Sequence, residues 1–352
     1  MRLAEPSVWQ MNPGPDADVV VSSRVRLARN IAGFPFVNRA THPQRHEIVR
    51  LVQHASFPPE WTAGIRWKNL QQLDPIERSL LVERHLISKQ FADGDAPRAL
   101  ALSSDGSLSL MVNEEDHLRM QVLLPGSRLA DCFAGVRRLD ETLERSLDFA
   151  YAQRWGYLTA CPTNLGCGIR FSVMLHLPGL KLTGEIEKMR HAAKDLHLAV
   201  RGLHGEGSEA IGDFYQVSNQ ITLGRSEEDI HDLFASTVVP RLVDYERSAR
   251  AVLLRSNPQL VEDRVHRALG ILRSARLLSF EETMKFLSRL RLGICLGRIG
   301  DVELATVNQL FLHIQPAHLD LLTDLPTPPS QPDPERKATR AALVRRALGA
   351  RS

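Results

Sequence analysis

The amino-acid sequence predicts an α+β fold: an antiparallel sheet flanked by helices, followed by an all-α region. Two patterns predict it. Runs such as "RALALSS", "GSLSLMVN", "LRMQVLLPG" and "IRFSVMLHLPG" have strand length, alternate or stay apolar, and end in Gly, Pro, Asn or Asp. The gaps between the first three are too short for a parallel crossover, which needs about a dozen residues, so they pair antiparallel. After Ser226 the pattern changes to apolar residues at helical spacing in successive segments. With 352 residues, 43% of them hydrophobic, the chain can bury a core in each of two domains.

The elements follow in order. "VVVSSRVRLARNIAGFP" starts as an apolar strand, and residues 45–54 and 76–88 carry helical periodicity. The strand runs come next, then a long helix over "GSRLADCFAGVRRLDETLERSLDFAYAQRWGYL", with Leu129, Phe133, Val136, Leu139, Leu143 and Leu147 on one face. "GEIEKMRHAAKDLHL" is a further helix, and "AVRGLHGEGSEAIGDFYQVSN" a glycine-rich loop that ends in a strand. Four helical segments fill residues 227–315. Residues 326–334 contain five prolines and predict an extended linker before the short basic helix "ERKATRAALVRRALGAR". The expected domains are 1–250, 251–325 and 326–352.

Lys and Arg outnumber Asp and Glu by 44 to 41, and a net charge of +3 does not itself indicate a nucleic-acid or membrane partner. The four cysteines lack zinc-type spacing, and a chain this long needs no disulfide framework; a reducing, cytoplasmic setting is expected. No window predicts a membrane span or an export signal. The Gly-rich phosphate loops and the kinase and metalloprotease signatures are absent, and no metal ligand set is expected.

Chemistry is sought instead in charges set among apolar residues. Arg24 and Arg26 alternate on one strand face, either as a solvated edge or as an oxyanion clamp. Arg119 and Arg170 interrupt apolar runs, where an unpaired charge is costly, so an anion is expected beside them. "MVNEEDHLRMQ" packs Glu114, Glu115 and Asp116 into one turn, as simple turn solubility or as cation-binding carboxylates. Glu206 and Glu209 form a second acidic group in the glycine-rich loop. Cys161 is either a small buried hydrophobe or a thiolate near the arginines. His85 either caps a helix or contacts a nucleotide, and Asn164 fixes a turn. Arginines holding a polyphosphate beside carboxylates holding a cation suggest phosphoryl transfer to a guanidinium.

The motifs "SSRVRLARN", "VNEEDHLRMQ", "CPTNLGCGIR" and "GEGSEAIGDFYQVSN", in this order, resemble the catalytic domain of the phosphagen (guanidino) kinases. The fold implied is that family's central antiparallel sheet with flanking helices. The first motif begins at residue 22, so the small helical domain that precedes it in the metabolite kinases is not expected. Together with the helical C-terminal region, this is similar to the bacterial branch of the family that phosphorylates protein arginines. The resemblance implies Glu115 as catalytic base, Glu209 as second carboxylate and Cys161 as thiolate. ATP would be bound by Ser23, Arg24, Arg26, His85, Arg119, Arg170 and the stretch Arg201, His204, Gly205 and Glu206, with Mg2+ carried in on its phosphates. Also implied are arginine-containing protein substrates, a homodimer, an activator of the McsA type and a Clp-type unfoldase-protease.

Three positions depart from the family pattern. His204 stands where the metabolite kinases have another phosphate-binding arginine. Cys167 replaces a small hydroxyl residue. The RDxxRA motif of an allosteric phosphoarginine pocket corresponds to Arg336, Lys337, Arg340 and Ala341, where a lysine in place of the acid argues against that regulation. Two other readings stay open: a kinase for free arginine or another small guanidine, and a non-catalytic adaptor that binds phosphoarginine or ATP.

Overall fold

The computed structural model describes residues 13–62, 64–202, 211–323 and 334–349. Strands β1 (Val20–Arg29), β2 (Arg66–Asn69), β3 (Ala99–Leu102), β4 (Leu108–Val112) and β5 (Leu118–Pro125) come first. A small hairpin follows, β6 (Tyr151–Ala152) and β7 (Gly156–Tyr157), and then β8 (Ile169–His176), β9 (Leu198–Gly202) and β10 (Phe214–Asn219). Eight of them form one sheet in the order β2-β3-β4-β5-β1-β8-β10-β9, antiparallel throughout. β1 lies inside the sheet, between β5 and β8.

The period-two alternation sorts side chains onto two faces. Val25 and Leu27 of β1, Met120 and Val122 of β5, and Phe171 and Val173 of β8 are buried together in the main core. The helix Leu129–Glu144 covers this face through Phe133, Val136, Leu139 and Leu143. Each such side chain contributes about 1.5–3 kcal/mol on burial. The opposite face carries the polar residues of the same strands.

Local signals set the helix ends. Thr41 and Asp74 each close a capping box, with Gln44 and Glu77, and a proline stands in the first turn of both helices, His42–His54 and Pro75–Glu83. The helix expected over 76–88 stops at Glu83 because His85 turns into the left-handed region, φ 58°. The long helix expected over 126–158 also stops early, at Glu144. Beyond it the end of β1 recruits the backbone: Ala32 N–H donates to Asp148 O and Ala150 N–H to Asn30 O, 2.8 and 2.7 Å. The segment expected as one helix over 227–256 is continuous but passes through a π-helical turn, Phe234–Val238. Pro240, just after it, has no N–H to continue the ordinary ladder.

Residues 258–323 form further helices around a second core that includes Met174 of β8 and Phe214 of β10, so the helical region is seated on the sheet. The helix Val239–Ser256 runs through residue 250, where the domain boundary was expected; its Ala249 packs in the first core and its Leu253 in the second. The helices Pro258–Ser274 and Phe280–Cys295 approach closely at Gly293, where a Cβ would lie 2.1 Å from Val265 Cγ1.

A polar chain, fully buried at Arg291, His176 and Ser288, ties this region to the sheet. The Arg291 guanidinium donates to His176 Nδ1, 2.8 Å, so the imidazole proton sits on Nε2 and is donated to Ser288 Oγ, 2.9 Å. Ser288 in turn donates to Asp213 Oδ2, 2.8 Å, at the start of β10. Burial, and then Arg291 and Arg250, push the His176 pKa well below the usual range, which keeps it neutral.

The basic C-terminal helix Pro334–Ala347 is docked into the second core through Ala341, Leu343 and Val344. Most of the proline-rich segment before it, 326–333, lies outside the described residues. No helix among the described residues is long and apolar enough to cross a membrane.

Candidate active site

The register places the predicted arginines on one face of the sheet. Arg26 of β1 stands opposite Arg170 of β8 and Gln121 of β5, while Arg24 stands opposite Ser172 and Leu123. Arg119 faces Ala28, two residues on, and Arg201 of β9 faces Gln216 of β10. Cross-strand neighbours on one face lie only about 5 Å apart at Cβ, so the guanidiniums crowd. Their surroundings show the electrostatic cost. Burial first, then Arg119 and Arg170, bring the Arg24 pKa down to about 9. Burial with Arg24, Arg119 and Arg170 lowers Arg26 far below its ordinary value, and burial, Arg201 and Arg119 lower Arg170. Arg24 donates to Gln216 Oε1, 3.0 Å, and to Ser172 Oγ, 3.3 Å. The buried Nε of Arg26 has no hydrogen-bond partner. A polyanion would relieve this repulsion.

This face opens into a cavity of about 700 Å³, bordered by Arg24, Arg26, Arg119, Gln121, Arg201 and Gln216 on the sheet and by His85, Ser88 and Lys89 beside it. Phe280, Glu281, Gln315 and Pro316 of the helical region close another side. Arg26 and Arg119 also border a smaller chamber of about 90 Å³, with Glu115, Arg170, Thr163 and Asn164.

The acidic turn divides its labour. Glu114 is buried and ion-paired with Arg119 at 2.6 Å, and accepts from Ser88 Oγ and the Glu115 N–H. Burial alone would raise its carboxyl; Arg119 and these hydrogen bonds outweigh that and hold it below the usual range. Asp116 accepts from the Ala160 N–H and from Asn30 Nδ2, both 2.7 Å, and so anchors the cysteine loop to the turn. Asn113, with φ 64°, turns the chain and donates to Arg45 O and Pro97 O. Only Glu115 is left half-exposed toward the small chamber. Burial, then Asp116 and Glu114, raise its pKa, opposed by Arg119 and by a hydrogen bond with Cys161. A carboxylate poised this way suits a base.

Cys161 precedes the one-turn helix Pro162–Asn164 and its Sγ lies 3.0 Å from Thr163 Oγ1. Thr222 Oγ1 clamps this loop by donating to Thr163 O and Leu165 O. Gly168, φ 69°, lets the loop meet β1: a Cβ there would lie 2.7 Å from Ala28 O. Burial raises the Cys167 thiol to about 11 and the Cys132 thiol to about 12, so both are neutral packing groups.

Ser23 is not brought to the site. It projects from the opposite face, donates to Gly126 O at 2.7 Å and accepts from the Arg128 N–H, because its odd position on β1 points it toward the helix Leu129–Glu144. His204, Gly205, Glu206 and Glu209 lie outside the described residues. Arg336 forms a two-pronged ion pair with Asp320, 2.9 Å in each prong, and Arg340 donates to Ile314 O and Leu278 O. With Ala341 buried and the Lys337 carbonyl bonded to the Leu278 N–H, this stretch serves docking of the C-terminal helix. Gln121 and Gln216 were missed, although each sits two residues, or one cross-strand step, from a predicted arginine on the same face.

Residues 48–249 match the family "ATP:guanido phosphotransferase, C-terminal catalytic domain", and residues 258–352 match "Protein-arginine kinase McsB C-terminal domain". A protein-arginine kinase of Moorella thermoacetica is 46% identical over 99% of both chains. The chain belongs to the protein-arginine kinase family. Another such kinase, from Halothermothrix orenii, is 42% identical over 97% of this chain and 96% of its own. Among solved structures, the duplicated taurocyamine kinase from Schistosoma mansoni, with bound transition-state-analogue components, aligns with a TM-score of 0.61 and 26% identity. That match covers 70% of this chain and 35% of the other. The fold and the arginine-lined sheet face therefore belong to an enzyme of the guanidino-kinase type.

Proposed function

We propose that this kinase transfers the γ-phosphoryl group of ATP to a guanidinium nitrogen of arginine side chains in proteins. The observation that carries the reading is a pair of chambers with shared walls: Arg26 and Arg119 border both the cavity large enough for a nucleotide and the small one that Glu115 lines. Arg24, Arg26, Arg119 and Arg170 bind the phosphates, and Glu115 orients the substrate guanidinium with Cys161 beside it. As the bond from the γ-phosphorus to the bridging oxygen of ADP breaks, the guanidinium nitrogen bonds to phosphorus and its proton passes to Glu115. Fixed guanidiniums aimed at the charge on the transferring group supply most of the acceleration. Glu209 acts as the second carboxylate, with His204 to Glu206 completing the phosphate site.

Among the described residues no group of three or more His, Cys, Asp or Glu side chains could hold a metal. Mg2+ would come in with ATP, held chiefly by its phosphates and water, and would neutralise charge on the triphosphate.

A protein substrate is favoured by a further opening at the acidic turn, about 300 Å³, bordered by Val37, Asn38, Arg45, Gln90, Arg98, Glu114 and Glu115. An arginine on an extended segment can reach Glu115 through it. The reading includes a cytoplasmic homodimer with a McsA-type activator, delivering clients to a Clp-type protease, as the family resemblance suggests. Incubation with ATP and either an unstructured protein or free arginine tests the substrate class. Acid-labile, base-stable phosphate on the protein is expected; label on free arginine alone would overturn it.

A further inference from the structure

The phosphate-binding arginines are not the only guanidiniums beside the acidic turn. Arg45, in the helix His42–His54, and Arg98, just before β3, border the further opening whose walls also include Glu114 and Glu115. Both side chains donate to backbone carbonyls. Arg45 reaches Val37 O and Ala40 O, 2.7 and 3.2 Å, through Nη2 and Nε. Arg98 reaches Phe91 O, Gln90 O and Asp93 O through Nη1 and Asn113 O through Nε. Arg45 Nη1 and Arg98 Nη2 take part in none of these bonds. Among the described residues neither arginine forms an ion pair with a carboxylate, whereas the nearby Arg50 is paired with Glu47 at 2.5 Å. Burial first, and then the charge on Arg45, lower the Arg98 pKa, against the pull of Glu114 and Asp93. The two guanidiniums repel each other at the edge of the substrate opening.

Their placement is fixed by the turn itself. The buried Asn113 side chain donates to Arg45 O and Pro97 O, 2.9 and 3.0 Å, and the Asn113 carbonyl accepts from Arg98, 3.3 Å. One residue at the start of the acidic turn thus holds both arginine-bearing segments against the loop that carries Glu115. Arg98 also lines a groove of about 570 Å³ beside the helix His42–His54, with His46, Gln53, Asn69 and Ala99. Shared walls therefore lead outward from the Glu115 chamber: Glu114 and Glu115 border both it and the opening, and Arg98 borders both the opening and the groove.

We propose that Arg45 and Arg98 form a subsite for an acidic residue flanking the target arginine, so that this kinase prefers arginines set close to Asp or Glu in an extended protein segment. The inference rests on the protein-substrate reading above and deepens it. The target guanidinium meets Glu115 while the flanking carboxylate meets two guanidiniums whose free N–H groups suit a charge-assisted bond. A flanking Lys or Arg would meet like charge instead.

The test uses the full-length chain and unstructured peptides that carry one arginine in an otherwise neutral sequence, with Asp, Asn or Lys close to it on either side. Steady-state kinetics with ATP and peptide binding by fluorescence anisotropy are read in parallel. On at least one side, Asp should lower KM about three- to five-fold relative to Asn, the upper range for an ion pair open to solvent, and Lys should raise it. Added salt should shrink the Asp advantage. Arg45→Gln should bring the Asn-to-Asp KM ratio toward one, and Arg45→Lys, which keeps the charge, should retain it; a role confined to holding Val37 and Ala40 would shift both peptides alike. Equal KM and equal affinity for the Asp and Asn peptides in the wild type, or an unchanged ratio in Arg45→Gln, would overturn the subsite. Asp-dependent binding without transfer to any peptide would instead refute only the kinase reading.

Discussion

Replacing Arg24 by Met tests whether the arginine face trades stability for anion binding. Arg24 holds its proton at about 9, more than three pH units below an ordinary guanidinium, because burial, Arg119 and Arg170 oppose its charge. At 1.36 kcal/mol per pH unit that corresponds to ~5 kcal/mol against the charged folded state. The sign follows from linkage: the folded pKa lies below the unfolded one, so the cost is fully present at neutral pH and fades only as pH rises past about 9. The side chain still borders an open cavity where water and salt screen it, and Arg24→Met gives up the bonds to Gln216 and Ser172. Allowing for both, a net stabilisation of about 1–2 kcal/mol is expected, or roughly 2–4 °C in Tm. Thermal unfolding without nucleotide, with and without tripolyphosphate, measures it. The variant should melt higher than the wild type alone and gain much less from tripolyphosphate. A variant that melts lower and gains as much would refute the reasoning.

Other outcomes follow from the same geometry. The raised pKa of Glu115 places the acid limb of kcat/KM above the ordinary glutamate range, and Glu114→Gln, which removes a like charge, should move that limb to lower pH; a limb that stays put would dissociate Glu115 from the proton transfer. Glu83→Gln weakens the cap on the helix Pro316–Thr323 and is expected to lower stability by about 1–2 kcal/mol in urea titrations, with a parallel rise in KM for ATP; an unchanged KM would separate the latch from the nucleotide site. His176 is held neutral, so the unfolded chain binds its proton first, and stability should fall as pH drops below about 6.5, by about 1 kcal/mol at pH 5.5. Denaturation midpoints at pH 7.5 and 5.5 decide this, since His176→Gln should reduce the difference and leave only the smaller share of the other buried imidazoles, His117 and His313; an equal slope in that variant would place it elsewhere.

Much of the sheet was legible in the sequence because alternation and turn residues act locally. The same rule predicts which arginines share a face, and it also shows why Ser23 cannot join them: one step along β1 reverses a side chain. Helix ends were less legible. The stop at Glu144 depends on bonds between residues 148–150 and the end of β1, more than a hundred residues earlier, and no local pattern announces them. The roles within the acidic turn were hidden for a similar reason: Glu114, Glu115 and Asp116 are alike in composition but differ in whether Arg119 or the Ala160 N–H reaches them. Phe280 and Gln315 gave no signal at all, because their periodicity reads as ordinary helix packing and their approach to the sheet is a tertiary fact.

The most direct measurement of the central claim is phosphorus NMR of an arginine-rich unstructured protein incubated with ATP, Mg2+ and either the wild-type chain or Glu115→Gln, kept at neutral or alkaline pH throughout. The wild type should generate a phosphorus–nitrogen resonance as ATP is consumed, and the variant should bind ATP equally well yet produce none. Equal phosphoarginine formation by the two would show that the half-exposed carboxylate beside Arg26 and Arg119 is not the group that receives the proton.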